Sequence, residues 1–101
     1  MTTRPVTLIN QLKVSPGNQA ALIALLKGNI ETVVSSLAGW RESRLIAASD
    51  GSSVTIYSEW ESPAAVDAMR ADARMQAYFP RIIELASLES TMGETVFSER
   101  A

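Results

Sequence analysis

The sequence predicts one α+β domain over residues 1–101, with the element order βαββαβ and a four-stranded antiparallel sheet that carries its helices on one face. Two patterns predict this class. Apolar and polar residues alternate in several short segments, as in half-buried strands, and apolar residues recur at three- and four-residue steps in longer segments, as in amphipathic helices. A hydrophobic content of 47% indicates that the chain can bury one compact core.

The first strand is predicted from Val6 to Val14, where residue types alternate. Its core face carries four apolar residues and Asn10, and its other face carries Thr7, Ile9, Gln11 and Lys13. The turn Ser15-Pro16-Gly17-Asn18 offers capping groups for a first helix, whose apolar stripe extends from Leu22 to Leu37. Ala38-Gly39 is predicted to end this helix, because glycine tolerates the left-handed conformation past a helix end.

A β-hairpin is predicted in the middle of the chain. Two strand-like runs, Trp40 to Ser49 and Ser53 to Glu61, flank Asp50-Gly51-Ser52, and an Asp-Gly pair between such runs is typical of a hairpin turn. One face of the third strand carries Val54, Ile56, Ser58 and Trp60. This face is expected to match the face of the first strand that carries Asn10.

A second helical region begins at Ser62 and Pro63, which supply an N-cap and a proline at the first helical position, where its missing N–H costs nothing. Pro80 is predicted to kink this region or split it into two pieces. A last strand is predicted around Glu94–Ser98, with Gly93 as a bulge or turn.

The resulting order is that of the ferredoxin-like split βαβ motif. Helices on one face leave the other face of the sheet uncovered, and that face is mixed in polarity, since its third strand carries Thr55, Tyr57 and Glu59. A second copy of the sheet would cover it. The sequence therefore predicts a homodimer packed sheet against sheet, with the C-terminal strand bracing the partner.

The chain contains no histidine and no cysteine. This excludes Ser-His-Asp and Cys-His nucleophilic sites, Cys/His zinc sites, CxxC redox chemistry and a haem iron held by a histidine of this chain. The acidic residues Glu59, Glu61, Asp67 and Asp72 lack the spacing of a metal site, so no metal ligands are predicted. Chemistry must use carboxylates, Arg, Lys, Tyr, Ser, Asn or a reactive substrate.

Charge and hydropathy limit the partners. Eleven acidic and nine basic residues give a net charge of −2, and the bases form no stripe, so nucleic acid is not an expected partner. No stretch approaches the roughly 20 apolar residues that cross a bilayer, and residues 1–5 show no signal-peptide pattern. We expect a cytoplasmic protein without a membrane partner.

A pocket is predicted between sheet and helices, lined by Asn10, Ser58 and Trp60, with Trp40 near its edge. Two interpretations stay open for Trp60, which is either a core residue or a ligand contact. An amide on a core-facing strand needs hydrogen-bond partners, so Asn10 is either bonded to backbone or faces a polar cavity.

Tyr78 and Arg81 lie three residues apart beside Pro80 and could face the same cavity. If Arg81 points inward, its guanidinium could stabilise an enolate, phenolate or peroxide anion. The alternative is that Arg81 is a solvated helix residue.

Three short motifs resemble the antibiotic biosynthesis monooxygenase family of dimeric α+β barrels. That family has a Gly-aromatic opening to the second strand, an Asp-Gly hairpin and a Y-x-x-W-x-S ending to the third strand. The matching residues here are Gly39-Trp40, Asp50-Gly51 and Tyr57-Ser58-Glu59-Trp60-Glu61-Ser62. The resemblance extends from Val6 to about Ser98. It implies a small aromatic substrate, dioxygen as co-substrate and no cofactor. In the oxygenase branch, a phenol or anthrone loses a proton, the carbanion reduces dioxygen, and a peroxide collapses to a quinone and water.

Site residues follow from the same resemblance. Trp60 matches the pocket tryptophan of the oxygenases, and Arg81 is the nearest candidate for their helical arginine. Ile56 stands where an anthrone oxygenase has an asparagine, and Val66 stands where it has a tyrosine, so both are expected to line the substrate site. The haem-degrading branch also keeps an asparagine at Asn10, but it needs a histidine that this chain lacks.

The leading hypothesis is a cofactor-independent monooxygenase that oxidises a polycyclic aromatic or quinol substrate. One alternative is a non-catalytic dimer of the same fold that binds a small molecule or has a regulatory role. Another is an isomerase or cyclase of the superfamily that uses acid–base chemistry without oxygen.

Overall fold

The computed structural model describes residues 4–101, so residues 1–3 of the predicted domain lie outside the described residues. Within residues 4–101 the chain forms four strands and three α-helices. Their order is β1 (Val6–Val14), α1 (Gln19–Thr32), β2 (Trp40–Ala47), β3 (Ser53–Trp60), α2 (Pro63–Ala71), α3 (Ala73–Leu85) and β4 (Ala86–Gly93). Short 3₁₀ turns occupy Pro16–Asn18 and Val34–Ser36.

The strands form one antiparallel sheet in the order β2-β3-β1-β4, which confirms the predicted ferredoxin-like α+β class. The predicted hairpin is present, because β2 pairs with β3 directly. Asn10 stands at the centre of the sheet, opposite Ile56 on β3 and opposite Ser90 on β4. The face of β1 that carries Asn10 and the face of β3 that carries Trp60 therefore coincide, as predicted.

The core lies between this face of the sheet and the helices. Side chains from β1, β3 and the helices are almost completely withdrawn from solvent there, with Leu12, Leu22 and Val54 at 1% or less exposed. The alternation of β1 and β3 is confirmed by burial, since Leu8 and Leu12 are buried while Ile9 is 37% exposed. Full burial of each such side chain stabilises the fold by about 1.5–3 kcal/mol.

The helices leave two areas of the sheet uncovered. The opposite face, which carries Ile9 and Tyr57, has the mixed polarity that the sequence predicts. On the helix face, the edge strand β4 extends beyond the helices, so Leu88 and Met92 are 39% and 43% exposed. The helix layer is therefore open along β4.

The second helical region divides into two pieces as predicted, but the prediction that Pro80 is the breakpoint is wrong. The chain breaks at Asp72, which has extended backbone, and Asp72 Oδ1 accepts hydrogen bonds from the backbone N–H groups of Arg74 and Met75. Pro80 lies inside α3. Its missing N–H would have paired with the carbonyl of Gln76, an exposed residue, and water can replace that bond.

The position predicted for the last strand is also wrong. Glu94–Ser98 has no regular structure, and β4 occupies Ala86–Gly93, directly after α3. Seven of the eight residues of β4 are exposed and half of the eight are polar, since β4 is an edge strand, and this weakens the alternation that marks a strand. Gly93 is thus the last residue of β4 rather than a bulge before it.

Two details of α1 differ from the prediction. The helix ends at Thr32, well before Gly39, and the apolar stripe continues through the 3₁₀ turn at Val34. The predicted cap also does not form a side-chain bond: Asn18 is the N-cap residue, but its amide caps no backbone N–H. By contrast, the predicted cap of α2 is confirmed, since Ser62 Oγ accepts a hydrogen bond from Ala65 N at 3.2 Å.

Replacing Asp72 by alanine is expected to lower the melting temperature at neutral pH, because two N–H groups of α3 lose their acceptor. Hydrogen bonding to Arg74 holds the pKa of Asp72 below its usual value of 3.8. The carboxylate therefore stabilises the fold above that pH and ceases to do so as the pH falls through its lowered pKa. Thermal unfolding at several pH values measures this. Asp67→Ala, at an exposed acid of α2, is the control, and an equal loss in both variants would contradict the capping role.

Candidate functional site

A cleft of about 500 Å³ opens between the helices and the sheet, on the side where β4 is uncovered. This volume lies in the range of roughly 300–1,000 Å³ that is typical of small-molecule sites. Ten of its lining residues are apolar: Leu8, Leu12, Leu26, Ile56, Met69, Met75, Phe79, Ile82, Ile83 and Leu88. Four are polar, Asn10, Asn29, Arg70 and Ser90, and we call this space the apolar cleft.

The apolar cleft continues inward into a chamber of about 60 Å³. The two spaces share walls at Asn10, Asn29 and Ile56, and the chamber ends at Ser58 and Trp60. The pocket predicted from the sequence is therefore present, with Asn10 and Ile56 at its middle and Trp60 at its inner end.

Trp60 is both a core residue and a wall of the chamber. Its side chain is 1% exposed, and its Nε1 donates a hydrogen bond to Ser58 Oγ at 3.2 Å. Ser58 Oγ in turn donates to the Leu8 carbonyl at 3.2 Å. Because both donors have protein acceptors, Trp60 presents only its aromatic ring to the chamber.

Asn10 faces the apolar cleft rather than the backbone. Its Oδ1 accepts a hydrogen bond from Ser90 Oγ across the β1–β4 pair. Its Nδ2 makes no hydrogen bond with any residue in 4–101. Because no side-chain nitrogen or oxygen in that range is both buried and unpaired, this nitrogen is accessible. The amide is thus open to the cleft as a hydrogen-bond donor.

Asn29 is a cleft residue that the sequence analysis missed. It lies on α1, is only 4% exposed, and its Nδ2 donates to Met75 Sδ at 3.4 Å. Its Oδ1 has no hydrogen-bond donor among the described side chains. The sequence does indicate that Asn29 is buried, because it lies three residues after Leu26 and four before Val33, on the apolar stripe of α1. A buried amide requires hydrogen-bond partners.

Arg70 is the second missed residue. It is exposed in the last turn of α2, next to buried Met69, and it is the one ionisable side chain among the described residues that line the apolar cleft. None of the four ion pairs found within residues 4–101 includes it. The cleft therefore carries one positive charge at its mouth.

Four residues that the sequence placed at the site line neither space. Trp40 is half-buried at a β-bulge and donates from Nε1 to Ser43 Oγ at 2.9 Å, and Val66 is buried in the core cluster that contains Trp60. The Tyr78 hydroxyl lies 3.4 Å from Thr32 Oγ1. Arg81 is exposed, with its guanidinium 5.2 Å from the centre of the Tyr78 ring. The monomer does not bring these side chains to the cleft.

Titratable groups with shifted pKa values lie elsewhere. The Tyr57 hydroxyl donates to Glu59 Oε1 at 2.7 Å, which raises the Tyr57 pKa, and both residues are on the opposite face of the sheet. Within residues 4–101, no three acidic side chains come together as metal ligands would. No carboxylate is among the described residues that line the apolar cleft, so its lining offers no side chain of the usual kind to accept a proton.

Comparisons with known proteins agree with this fold. The family model described as antibiotic biosynthesis monooxygenase matches residues 5–81. No protein with a curated description matches the sequence significantly. The chain is similar in structure to a monooxygenase from the gene ActVA-Orf6 of Streptomyces coelicolor, solved with nanaomycin D, with a TM-score of 0.88, 19% identity, and coverage of 97% of this chain and 93% of that one.

Two further solved structures have the same fold. SnoaB from Streptomyces nogalater, described as a cofactor-independent oxygenase and solved in a mutant form, has a TM-score of 0.78 and 15% identity, with coverage of 95% of this chain and 97% of that one. Rv0793 from Mycobacterium tuberculosis has a TM-score of 0.81 and 24% identity, with coverage of 95% and 99%.

Proposed function

The chain belongs to the antibiotic biosynthesis monooxygenase family, and on that premise we propose that it is a cofactor-independent monooxygenase that oxidises a polycyclic aromatic or quinol substrate with dioxygen. The observation that carries this proposal is the apolar cleft, which is large enough for a polycyclic molecule and offers a free amide donor at Asn10. Two structural neighbours described as a monooxygenase and an oxygenase support it.

The reaction requires little from the protein beyond binding. A substrate such as anthrone loses a proton from its CH₂ group, and the carbanion transfers electrons to dioxygen. The resulting peroxide then releases water and leaves a carbonyl, so that anthrone and dioxygen become anthraquinone and water. The Asn10 Nδ2 group would donate to the enolate oxygen, and the apolar walls would keep water away from it.

Proton removal is the step for which the cleft is least equipped. Its described lining offers no carboxylate, so the substrate itself must ionise readily. The rate is expected to rise with pH until the substrate is ionised.

Dioxygen uptake tests the proposal. The purified metal-free protein is expected to accelerate dioxygen consumption by anthrone or a menadiol-type quinol above the rate in buffer. Asn10→Ala should lower kcat/KM about tenfold, because one hydrogen bond to the developing charge is lost. Trp60→Phe should lower it as well, because the ring that ends the chamber becomes smaller.

Both variants are expected to stay folded. Asn18→Ala is the matched control, because Asn18 is exposed and its side chain caps nothing. If Asn10→Ala and Trp60→Phe lose only thermal stability, with activity per folded molecule unchanged, the site assignment is wrong.

One observation favours a second candidate, a binding protein without catalysis: the described lining holds a free amide and a cation but no base. Saturable binding of aromatic ligands with no dioxygen uptake for any of them would support that function. Product formation under argon would instead indicate the isomerase or cyclase alternative.

We further propose that the active form is a homodimer in which the uncovered face of the sheet packs against a second copy. The partly exposed Ile9 and the open-face pairs Tyr57–Glu59 and Arg44–Glu42 support this, because such a face is neither fully polar nor fully apolar. Light scattering after size exclusion is expected to give twice the monomer mass of 10.9 kDa at micromolar concentration, and a monomer mass would contradict the dimer.

Two sequence predictions about the setting remain. Among the described residues, no helix has the length and apolar character to cross a bilayer. A cytoplasmic location and a small aromatic partner remain predictions.

A further inference from the structure

The polar groups of the apolar cleft are few and differ in kind, and this restricts the ligand. We infer that the cleft takes a ring compound that bears a hydroxyl group and an acidic group, with Asn29 accepting the hydroxyl hydrogen bond and Arg70 binding the acid. This rests on the proposal that the cleft is the substrate site, and it deepens that proposal by naming a substrate class.

The case for Asn29 begins with its burial. Asn29 is only 4% exposed. A side-chain amide buried to this extent normally has hydrogen-bond partners for both its nitrogen and its oxygen. Its Nδ2 donates only to a thioether, Met75 Sδ, at 3.4 Å. Its Oδ1 has no donor within residues 4–101, and since no unpaired side-chain oxygen in that range is fully buried, this atom is accessible on a residue that lines the cleft.

An unpaired carbonyl oxygen on an apolar wall selects for a donor. A ligand that carries a hydroxyl group there regains a hydrogen bond in a site of low polarity, whereas a ligand without one leaves the oxygen unsatisfied. Asn10, on the facing strand, instead offers an N–H donor. Of the two amides, Asn10 therefore offers a hydrogen-bond donor to the ligand, and Asn29 offers an acceptor for a hydroxyl hydrogen.

The case for Arg70 is one of charge. The described lining contains this one cation and no acid, although the protein as a whole has a net charge of −2. Arg70 also has a purely structural explanation, because a basic residue in the last turn of a helix interacts favourably with the helix dipole. The structural explanation predicts no preference among ligands, but an anion site predicts a preference for acids that salt weakens.

Three naphthalene probes separate the two contacts without altering the protein. They are 6-hydroxy-2-naphthoic acid, with both groups, 2-naphthol, with only the hydroxyl, and 2-naphthoic acid, with only the acid. Isothermal titration calorimetry is expected to rank the hydroxy acid tightest, by about three- to tenfold over each of the others. Equal affinity for the hydroxy acid and 2-naphthoic acid would overturn the role of Asn29. No saturable binding up to millimolar concentration would overturn the whole inference.

Variants assign each preference to a residue. Arg70→Gln should weaken both acids by about three- to tenfold and leave 2-naphthol unchanged. Lys27→Gln removes the same charge from an exposed position of α1 outside the cleft and should change nothing. Asn29→Ala should weaken the two hydroxyl probes alone. A uniform loss for all three probes in either cleft variant would indicate a structural role and overturn the inference.

The oxygenase proposal and this inference can fail separately. Anthrone carries no acidic substituent, so dioxygen uptake with anthrone tests the reaction while the probes test recognition. The expected ranking of probes without dioxygen uptake would support the ligand class and contradict the oxygenase. Dioxygen uptake with no preference among probes would support the oxygenase and overturn the ligand class.

Discussion

Replacing Gly39 by alanine is expected to destabilise the fold by about 2–5 kcal/mol, the sum of a left-handed backbone penalty and a steric overlap. Gly39 has φ +85°, and a Cβ atom there would lie 2.5 Å from the Cβ of Ala65 on α2. The backbone is also held at this point, since the Gly39 carbonyl accepts a hydrogen bond from Glu61 N at 2.7 Å. Relief of the overlap would move α2 away from β2.

Chemical denaturation measures this effect. Gly28→Ala is the matched control, because Gly28 lies inside α1 and a Cβ there would meet no atom within 4 Å. That control is expected to stabilise the protein by about 0.5–1 kcal/mol. Wild-type stability in Gly39→Ala would show that α2 can shift at no cost, and the close packing of Ala65 against Gly39 would then be wrong.

Filling the apolar cleft from β4 is expected to lower turnover strongly. Ser90 stands opposite Asn10 in the sheet and is exposed, so a tryptophan there can be accommodated without disturbing the core. Ser90→Trp should place an indole over Asn10 and lower kcat/KM for anthrone about a hundredfold, because the substrate can no longer reach its reactive geometry.

Ser35→Trp adds the same bulk at an exposed position of the 3₁₀ turn after α1, and it should retain turnover. Dioxygen uptake and circular dichroism are measured on both variants. Full activity in a folded Ser90→Trp protein would mean that the substrate binds elsewhere.

Much of the fold could be predicted because the central strands have a strong pattern. β1 and β3 are each packed by helices on one face and paired on both edges, so burial imposes alternation on Val6–Val14 and on Val54–Trp60. The register that follows brings Asn10 beside Ile56. The edge strand β4 pairs on one side only and is largely solvated, so its residues carry little pattern.

The break at Asp72 was missed for a different reason. Pro80 is the more conspicuous residue, but a helix tolerates one missing hydrogen bond on an exposed turn. Asp72 ends α2 and caps α3 through its side chain, and an aspartate in a helical pattern gives no clear sign of this from sequence alone.

The candidate site could be predicted only in its sheet half. Asn10, Ser58 and Trp60 share a strand face that alternation reveals, whereas Asn29 and Arg70 reach the cleft because of how α1 and α2 sit on the sheet. Helix periodicity shows which side of α1 is buried, but it does not show where the layer leaves a gap. Arg81 lies near Pro80 in the sequence and is the nearest candidate for the helical arginine of the oxygenases, but in the monomer its side chain is exposed beside Tyr78.

The chain has no histidine or cysteine, and the lining of the cleft shows which groups are left for chemistry. The described lining supplies hydrogen bonds, a cation and apolar walls, but no group of the usual kind for proton removal. An oxygenase built this way depends on a substrate that ionises easily and on a pocket that keeps the resulting anion dry.

Isotope labelling is the most direct test of the central claim that this cleft supports oxygenation by dioxygen. The protein is incubated with anthrone under ¹⁸O₂, and the anthraquinone is analysed by mass spectrometry, with Ser90→Trp and buffer alone as references. The account predicts one ¹⁸O atom in each product molecule, formed faster than in either reference. A product that takes its new oxygen from water, or labelled product that forms no faster than in buffer, would contradict it.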